Sequence, residues 1–143
     1  MSPIIRNILA IVLGIVLGGA LNMGIITIQN FVIPLPEGVD PNNMESLKSS
    51  MHLLELRHFI MPFLAHALGT LAGAYIAGLI ASTRKVAIAM WIGVFFLLGG
   101  IMAAFMLPAP LWFIIFDLVV AYIPMGWLGG RLAVSTSRKS NIA

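Results

Sequence analysis

The sequence predicts an all-α, polytopic membrane protein, with four transmembrane helices in two hairpins forming a single membrane domain over residues 1–143. Two observations predict it. Hydrophobic residues make up 60% of the chain and charged residues 9%, where soluble domains carry about 45–50% and about 25%. Four runs are also long enough to cross a hydrocarbon layer roughly 30 Å thick, which takes about 20 residues at the helical rise. The same composition excludes a disordered chain, an ordinary soluble enzyme and a nucleic-acid binder, although the net charge is +3. The runs do not alternate apolar and polar residues, which excludes a transmembrane barrel. The chain has no cysteine, hence no disulfide, no thiolate metal site and no cysteine nucleophile.

The first span runs from Ile8 to Ile33 without a charge. Its apolar run is too long for a signal peptide and lacks a small-residue cleavage site, so a retained helix is expected. It exceeds what a bilayer requires, so it should tilt, or its Thr27–Asn30 end should protrude. A polar outer segment follows, residues 34–58. Within it Asp40-Pro41 reads as an N-cap with proline at the first helical position. The helical pattern from there should run into the second span or bend at Pro62, which would free the carbonyl of His58.

The second span runs from Phe59 to Ala81, and the turn Ser82–Lys85 leads into the third, Val86–Leu107. Pro108-Ala109-Pro110 forms the next turn, and the fourth span is Leu111–Gly130. A polar tail, Arg131–Ala143, completes the chain. Each short turn joins antiparallel neighbours.

Charge gives the orientation. Arg6, Arg84, Lys85, Arg131, Arg138 and Lys139 fall on one side with no acid. Lys48 and Arg57 fall on the other with Glu37, Asp40, Glu45 and Glu55. The positive-inside rule then makes both termini cytoplasmic, and a bacterial cytoplasmic membrane is the expected location.

Small residues recur every fourth position. The second span carries Ala65, Gly69, Gly73, Ala77 and Ala81; the first carries Ala10, Gly14 and Gly18, with Asn22 next on the stripe. Such ridges let helix backbones approach closely and pack in lipid, within the chain or between copies. A homo-oligomer is therefore expected alongside the lipid partner.

Polar residues inside the spans are the candidate site. Asp117 is the one charge within a span, and an acid at that depth is costly unless it faces the bundle and finds a partner. Helical rise places it about 9 Å below the outer boundary and His66 about 10 Å below. Both helices run the same way, so the two side chains can meet as a pair that binds or relays a proton. Asn22, Tyr75 and Tyr122 are supporting polar groups, Asn22 as interhelical glue. Pro124 leaves the carbonyl of Val120 without its helical donor, so that Tyr122's neighbourhood is a place for a kink or a cavity.

In the outer segment His52, Glu55 and His58 stand at three-residue steps. On a helix such pairs share a face, and imidazole with carboxylate suits zinc or iron. His52 and His58 lie too far apart for one ion without a bend, and HExxH is absent, so no cofactor is required by the pattern. A continuous helix would also bring His52, Glu55, His66, Gly69 and Gly73 into one stripe.

Three function classes follow. One is a transporter- or channel-like protein for a small solute, an ion or a proton, built on His66 and Asp117. A second is a non-catalytic accessory or assembly subunit. A third is a membrane metal protein or enzyme using the outer His/Glu cluster. No catalytic signature is present: GxSxG, a phosphate loop and paired intramembrane carboxylates are all missing. The first class requires a cavity that reaches Asp117; the second requires a dry bundle.

Overall fold

The structure is a computed structural model describing residues 1–140. Its helices are α1 (Pro3–Val32), α2 (Met44–Ser50), α3 (Ile60–Ile80), α4 (Lys85–Met106), α5 (Leu111–Val120) and α6 (Ile123–Ser140), with 3₁₀ turns at Met51–Leu53 and Leu56–Phe59. Among the described residues there is no strand. Four helical stretches are long and apolar enough to cross a membrane: Pro3–Val32, Leu56–Ile80, Lys85–Met106 and Leu111–Lys139. The chain is an integral membrane protein by that measure. Large apolar side chains such as Val12, Val16, Leu98 and Ile115 point outward, as a lipid-facing surface requires.

Helix α1 begins earlier than the apolar run alone implies. Ser2 caps it, its hydroxyl accepting from the Ile5 N–H at 3.3 Å, and Pro3 occupies the first turn. Proline loses nothing there, because the N–H it lacks would be unpaired anyway. Helices α1, α3, α4 and the α5–α6 pair alternate in direction, and α3 is central, packing against α1, α4 and α6.

The α1–α3 seam is the closest approach. A Cβ placed on Gly14 would stand 2.7 Å from the Gly73 carbonyl oxygen, and one on Gly73 would stand 2.5 Å from that of Gly14. A Cβ on Gly18 would stand 2.6 Å from the Gly69 oxygen. No real side chain tolerates such distances to backbone, so glycine is required for the two helices to touch. Ala10 and Ala77 continue the seam and are fully buried. Helix α6 is held as closely: Gly129 meets the backbone of Leu71, and Gly126 lies against Gly93. In α4 the packing residues are Ala89, Ile92 and Gly93. Gly99 has open space where a Cβ would be.

The end that joins α3 to α4 is built from basic side chains. Arg6 donates from Nε to the Ile80 carbonyl at 2.6 Å, and Lys85 donates to the Gly78 and Leu79 carbonyls at 3.0 and 3.1 Å. These are carbonyls left without helical donors at the end of α3. Asn7 clasps the turn itself, accepting from the Ser82 N–H and donating to Thr83. Arg84 turns the corner in the left-handed region at φ 47°.

Two expectations are corrected at the opposite, loop-bearing end. The outer helix is short. Asn43, rather than Asp40, caps it, accepting from the N–H groups of Glu45 and Ser46. The Asp40 carboxylate instead accepts from Asn42 N–H, which closes a turn around Pro41. The segment also does not run continuously into α3. It leaves helical geometry at Leu54 and Glu55, so Pro62 falls in the first turn of α3 and frees no carbonyl of a continuous helix.

The fourth span is likewise two helices. Pro124 cannot donate to Val120, and its ring crowds that carbonyl. The chain therefore breaks at Ala121–Tyr122 and restarts at Ile123, with Gly126 N–H bonding the Tyr122 carbonyl at 2.8 Å. Helix α6 then continues past Gly130 to Ser140, so the expected polar tail is helical over 131–140 and its last three residues lie outside those described.

Candidate functional site

Helix α3 presents His66 and helix α5 presents Asp117 at one level. The imidazole Nδ1 lies 3.0 and 2.9 Å from the two carboxylate oxygens. Side-chain exposure is 7% for Asp117 and 24% for His66, so the acid is the withdrawn member and the imidazole the accessible one. Nδ1 is the ring nitrogen that meets the carboxylate, and Nε2 is the one that does not.

Tyr122 completes the cluster. Its hydroxyl donates to Asp117 Oδ2 at 3.0 Å, and its ring lies 5.7 Å from that of His66. The break between α5 and α6 puts it there, since Tyr122 is the residue just before the new helix starts. Space comes from α4. A Cβ on Gly100 would collide with the Tyr122 hydroxyl. The acid thus accepts from both an imidazole and a phenol, which is how a carboxylate is tolerated away from water.

The other polar candidates are placed elsewhere. Tyr75 reaches Thr136 of α6 at 3.3 Å, on the basic side of the bundle and away from Asp117. Asn22 packs its Cβ against Gly69 and extends the α1–α3 seam. Among the described residues its amide makes no bond between helices. Thr70, one turn beyond His66 on α3, is buried, and its hydroxyl has no partner among the described residues.

The outer trio does not converge. His52 is exposed on one 3₁₀ turn, and Glu55 pairs with Arg57 at 3.0 Å. His58 is buried on the next turn, its Nδ1 accepting from the Glu55 N–H at 2.8 Å. Because Leu54 and Glu55 are extended, three-residue steps no longer share a face. Among the described residues no group of three His, Asp or Glu side chains is placed to hold a metal ion. The proposed stripe from His52 through Gly73 is interrupted at the same point.

A cavity of about 240 Å³ lies at the loop-bearing end. Leu35, Leu47 and Leu54 of the outer segment roof it, Ala103, Ala104 and Phe113 wall it, and His66, Gly100 and Asp117 form its inner end. The aromatic wall is fixed by ring contacts: Phe59 meets Phe113 at 4.8 Å and Trp112 at 5.6 Å. The sequence marks the inner end by its polar residues. The four-residue spacing of Gly100 and Ala104 reads only as a packing ridge; the roof and the place of Gly100 beside Tyr122 depend on how the outer segment folds back and on where Tyr122 points. Compared with known proteins, the chain matches no family model, no curated protein and no solved structure.

Proposed function

We propose that this protein is a small transporter-like membrane protein that admits a small solute, an ion or a proton to an outer chamber and exchanges a proton at the His66–Asp117 pair. One observation carries the reading: a cavity inside the bundle reaches the buried acid. A scaffold needs no such space beside the one acid within its spans. The asymmetry between an accessible imidazole and a withdrawn acid supports the same role. His66 faces what enters the chamber, and Asp117, itself held by Tyr122, fixes the imidazole in place.

The broken helix supports it further. Discontinuous helices in the interior of membrane bundles are tolerated where the freed backbone lines a site, and transporters use them to form binding positions. Here the break carries Tyr122, one of the two donors to Asp117. The charge distribution supports an orientation with both termini and the Ser82–Lys85 turn in the cytoplasm, so that the chamber faces outward.

The test is proton flux into liposomes containing a pH-sensitive dye, under an imposed potassium diffusion potential, with and without a panel of small neutral and charged solutes. Wild type should acidify the interior faster than protein-free vesicles, and Asp117→Asn should return the rate to the protein-free value. That variant keeps the size of the side chain and its acceptor for Tyr122 while removing the charge. Equal rates for wild type, Asp117→Asn and empty vesicles under every solute would remove the transport reading and leave an accessory subunit.

A further inference from the structure

A second recess, distinct from the chamber, lies where α1 and α6 flank α3. It is an open groove of about 420 Å³, walled by Leu21 of α1, Leu68, Ala72 and Tyr75 of α3, and Leu132 and Thr136 of α6. Leu21, Leu68 and Leu132 are exposed along it, so it opens sideways onto hydrocarbon rather than into an aqueous end. Two hydroxyls stand in its wall, those of Tyr75 and Thr136, 3.3 Å apart. One donates to the other, which leaves one hydroxyl hydrogen of the pair for a third group.

Cations stand at one end of this groove. Arg6 is tied to the end of α3 through Nε and the Ile80 carbonyl, and its terminal nitrogens make no bond among the described residues. At the helical turn of 3.6 residues, Arg6 lies about 60° from Leu21 around α1, and Lys139 about 20° from Leu132 around α6. Both cations are therefore on the flanks that wall the groove. Ala133 packs on Gly78, and Lys139 lies about 9 Å farther along α6 at helical rise, past the end of α3. Thr136 is one turn inside Lys139, so the hydroxyls are deeper than the cations. None of α1, α3 and α6 carries an Asp or Glu, and neither cation has a carboxylate partner among the described residues.

We propose that the groove holds an anionic glycerophospholipid from the leaflet at the basic end. Its phosphate sits between Arg6 and Lys139, an ester carbonyl accepts from the Tyr75–Thr136 pair, and one acyl chain runs along Leu21, Ala72 and Leu132. The order of cations, spare donor and apolar trough is the order of phosphate, ester and chain in such a lipid. Charge selects the headgroup, since choline or ethanolamine would add a cation to the two already there. Charge also argues against a second copy of the chain. A two-fold axis along the membrane normal keeps both copies at one level and sets Arg6 and Lys139 of one against those of the other.

Native mass spectrometry of the full chain released from detergent tests it, with phosphatidylglycerol and phosphatidylcholine of identical chains as probes. Wild type should retain one phosphatidylglycerol in preference to phosphatidylcholine. Arg6→Gln and Lys139→Gln should each weaken that retention about fivefold, the worth of one basic contact at an anionic surface. Lys139 makes no bond among the described residues, so its variant removes charge without removing a contact of the fold. Ala72→Phe fills the trough with the charges intact and should abolish retention of either lipid. Arg131 lies over Trp127, about 100° round α6 from Leu132. Arg131→Gln makes the same change in net charge and should leave retention as in wild type. Equal retention of the two lipids, equal losses in Arg131→Gln and Lys139→Gln, or retention untouched by Ala72→Phe overturns the proposal. A dimer seen without lipid and lost in Ala72→Phe overturns it as well, and gives the groove to a second copy.

Discussion

Asp117 sets the terms at the scale of single residues, because a carboxylate withdrawn from water must be matched by donors. It has two, the imidazole of His66 and the hydroxyl of Tyr122. Asp117→Asn and His66→Gln should each destabilise the protein by about 1–3 kcal/mol, the usual result of leaving a buried group with an impaired partner. Chemical denaturation in detergent measures it. The double variant should cost less than the sum, since the bond is lost once; strict additivity would mean the two side chains do not interact in solution. Tyr122→Phe should cost about 1 kcal/mol for the lost donor, while Tyr75→Phe, whose hydroxyl meets only Thr136 near the bundle surface, should cost little. The two tyrosines look alike in the sequence. Depth along a helix is a sum of equal rises, so the shared level of His66 and Asp117 is legible from residue counting. Which way a side chain points depends on rotation, and the break before Pro124 resets the rotation for Tyr122. Arithmetic along one unbroken helix does not contain that.

Among the elements, the α1–α3 seam is the most constrained. Gly73→Leu should force the helices apart against the Gly14 backbone and lower stability by about 1–3 kcal/mol or more, as overpacking does. Gly99→Leu, on a helix face with open space, should melt like wild type in the same thermal denaturation series. If both variants melt alike, the seam does not hold the bundle together. The seam was legible because a four-residue period of small side chains has one physical use in lipid. The outer segment was less so. Asp40-Pro41 and Asn43 are both acceptable starts for a helix by composition, and the chain chose the later one because Pro41 sits better in the turn that the Asp40 carboxylate closes. The length of α2 and the loss of helical geometry at Leu54 leave no periodic mark in the sequence.

For the whole molecule, the decisive question is whether the chamber communicates with the outer medium. The absence of cysteine makes it approachable, since single cysteines introduce the only thiols. Four positions separate the possibilities. Ala104 lines the chamber, Asn43 caps the exposed outer helix, Ser82 lies in the basic turn, and Ala74 is fully buried in the core. A charged, membrane-impermeant thiol reagent added to intact cells should label Asn43→Cys and Ala104→Cys. With the proposed orientation, Ser82→Cys should label only after the membrane is opened, because basic residues resist translocation. Ala74→Cys should label in neither case, which checks that reaction requires access and not mere presence of a thiol. Each departure has its own meaning. Labelling of Ser82→Cys from outside, with Asn43→Cys protected, would invert the orientation and turn the chamber toward the cytoplasm. Labelling of Asn43→Cys without Ala104→Cys would mean that the roof of Leu35, Leu47 and Leu54 seals the space, and the cavity would then be an enclosed pocket behind a lid and not a way in for solute.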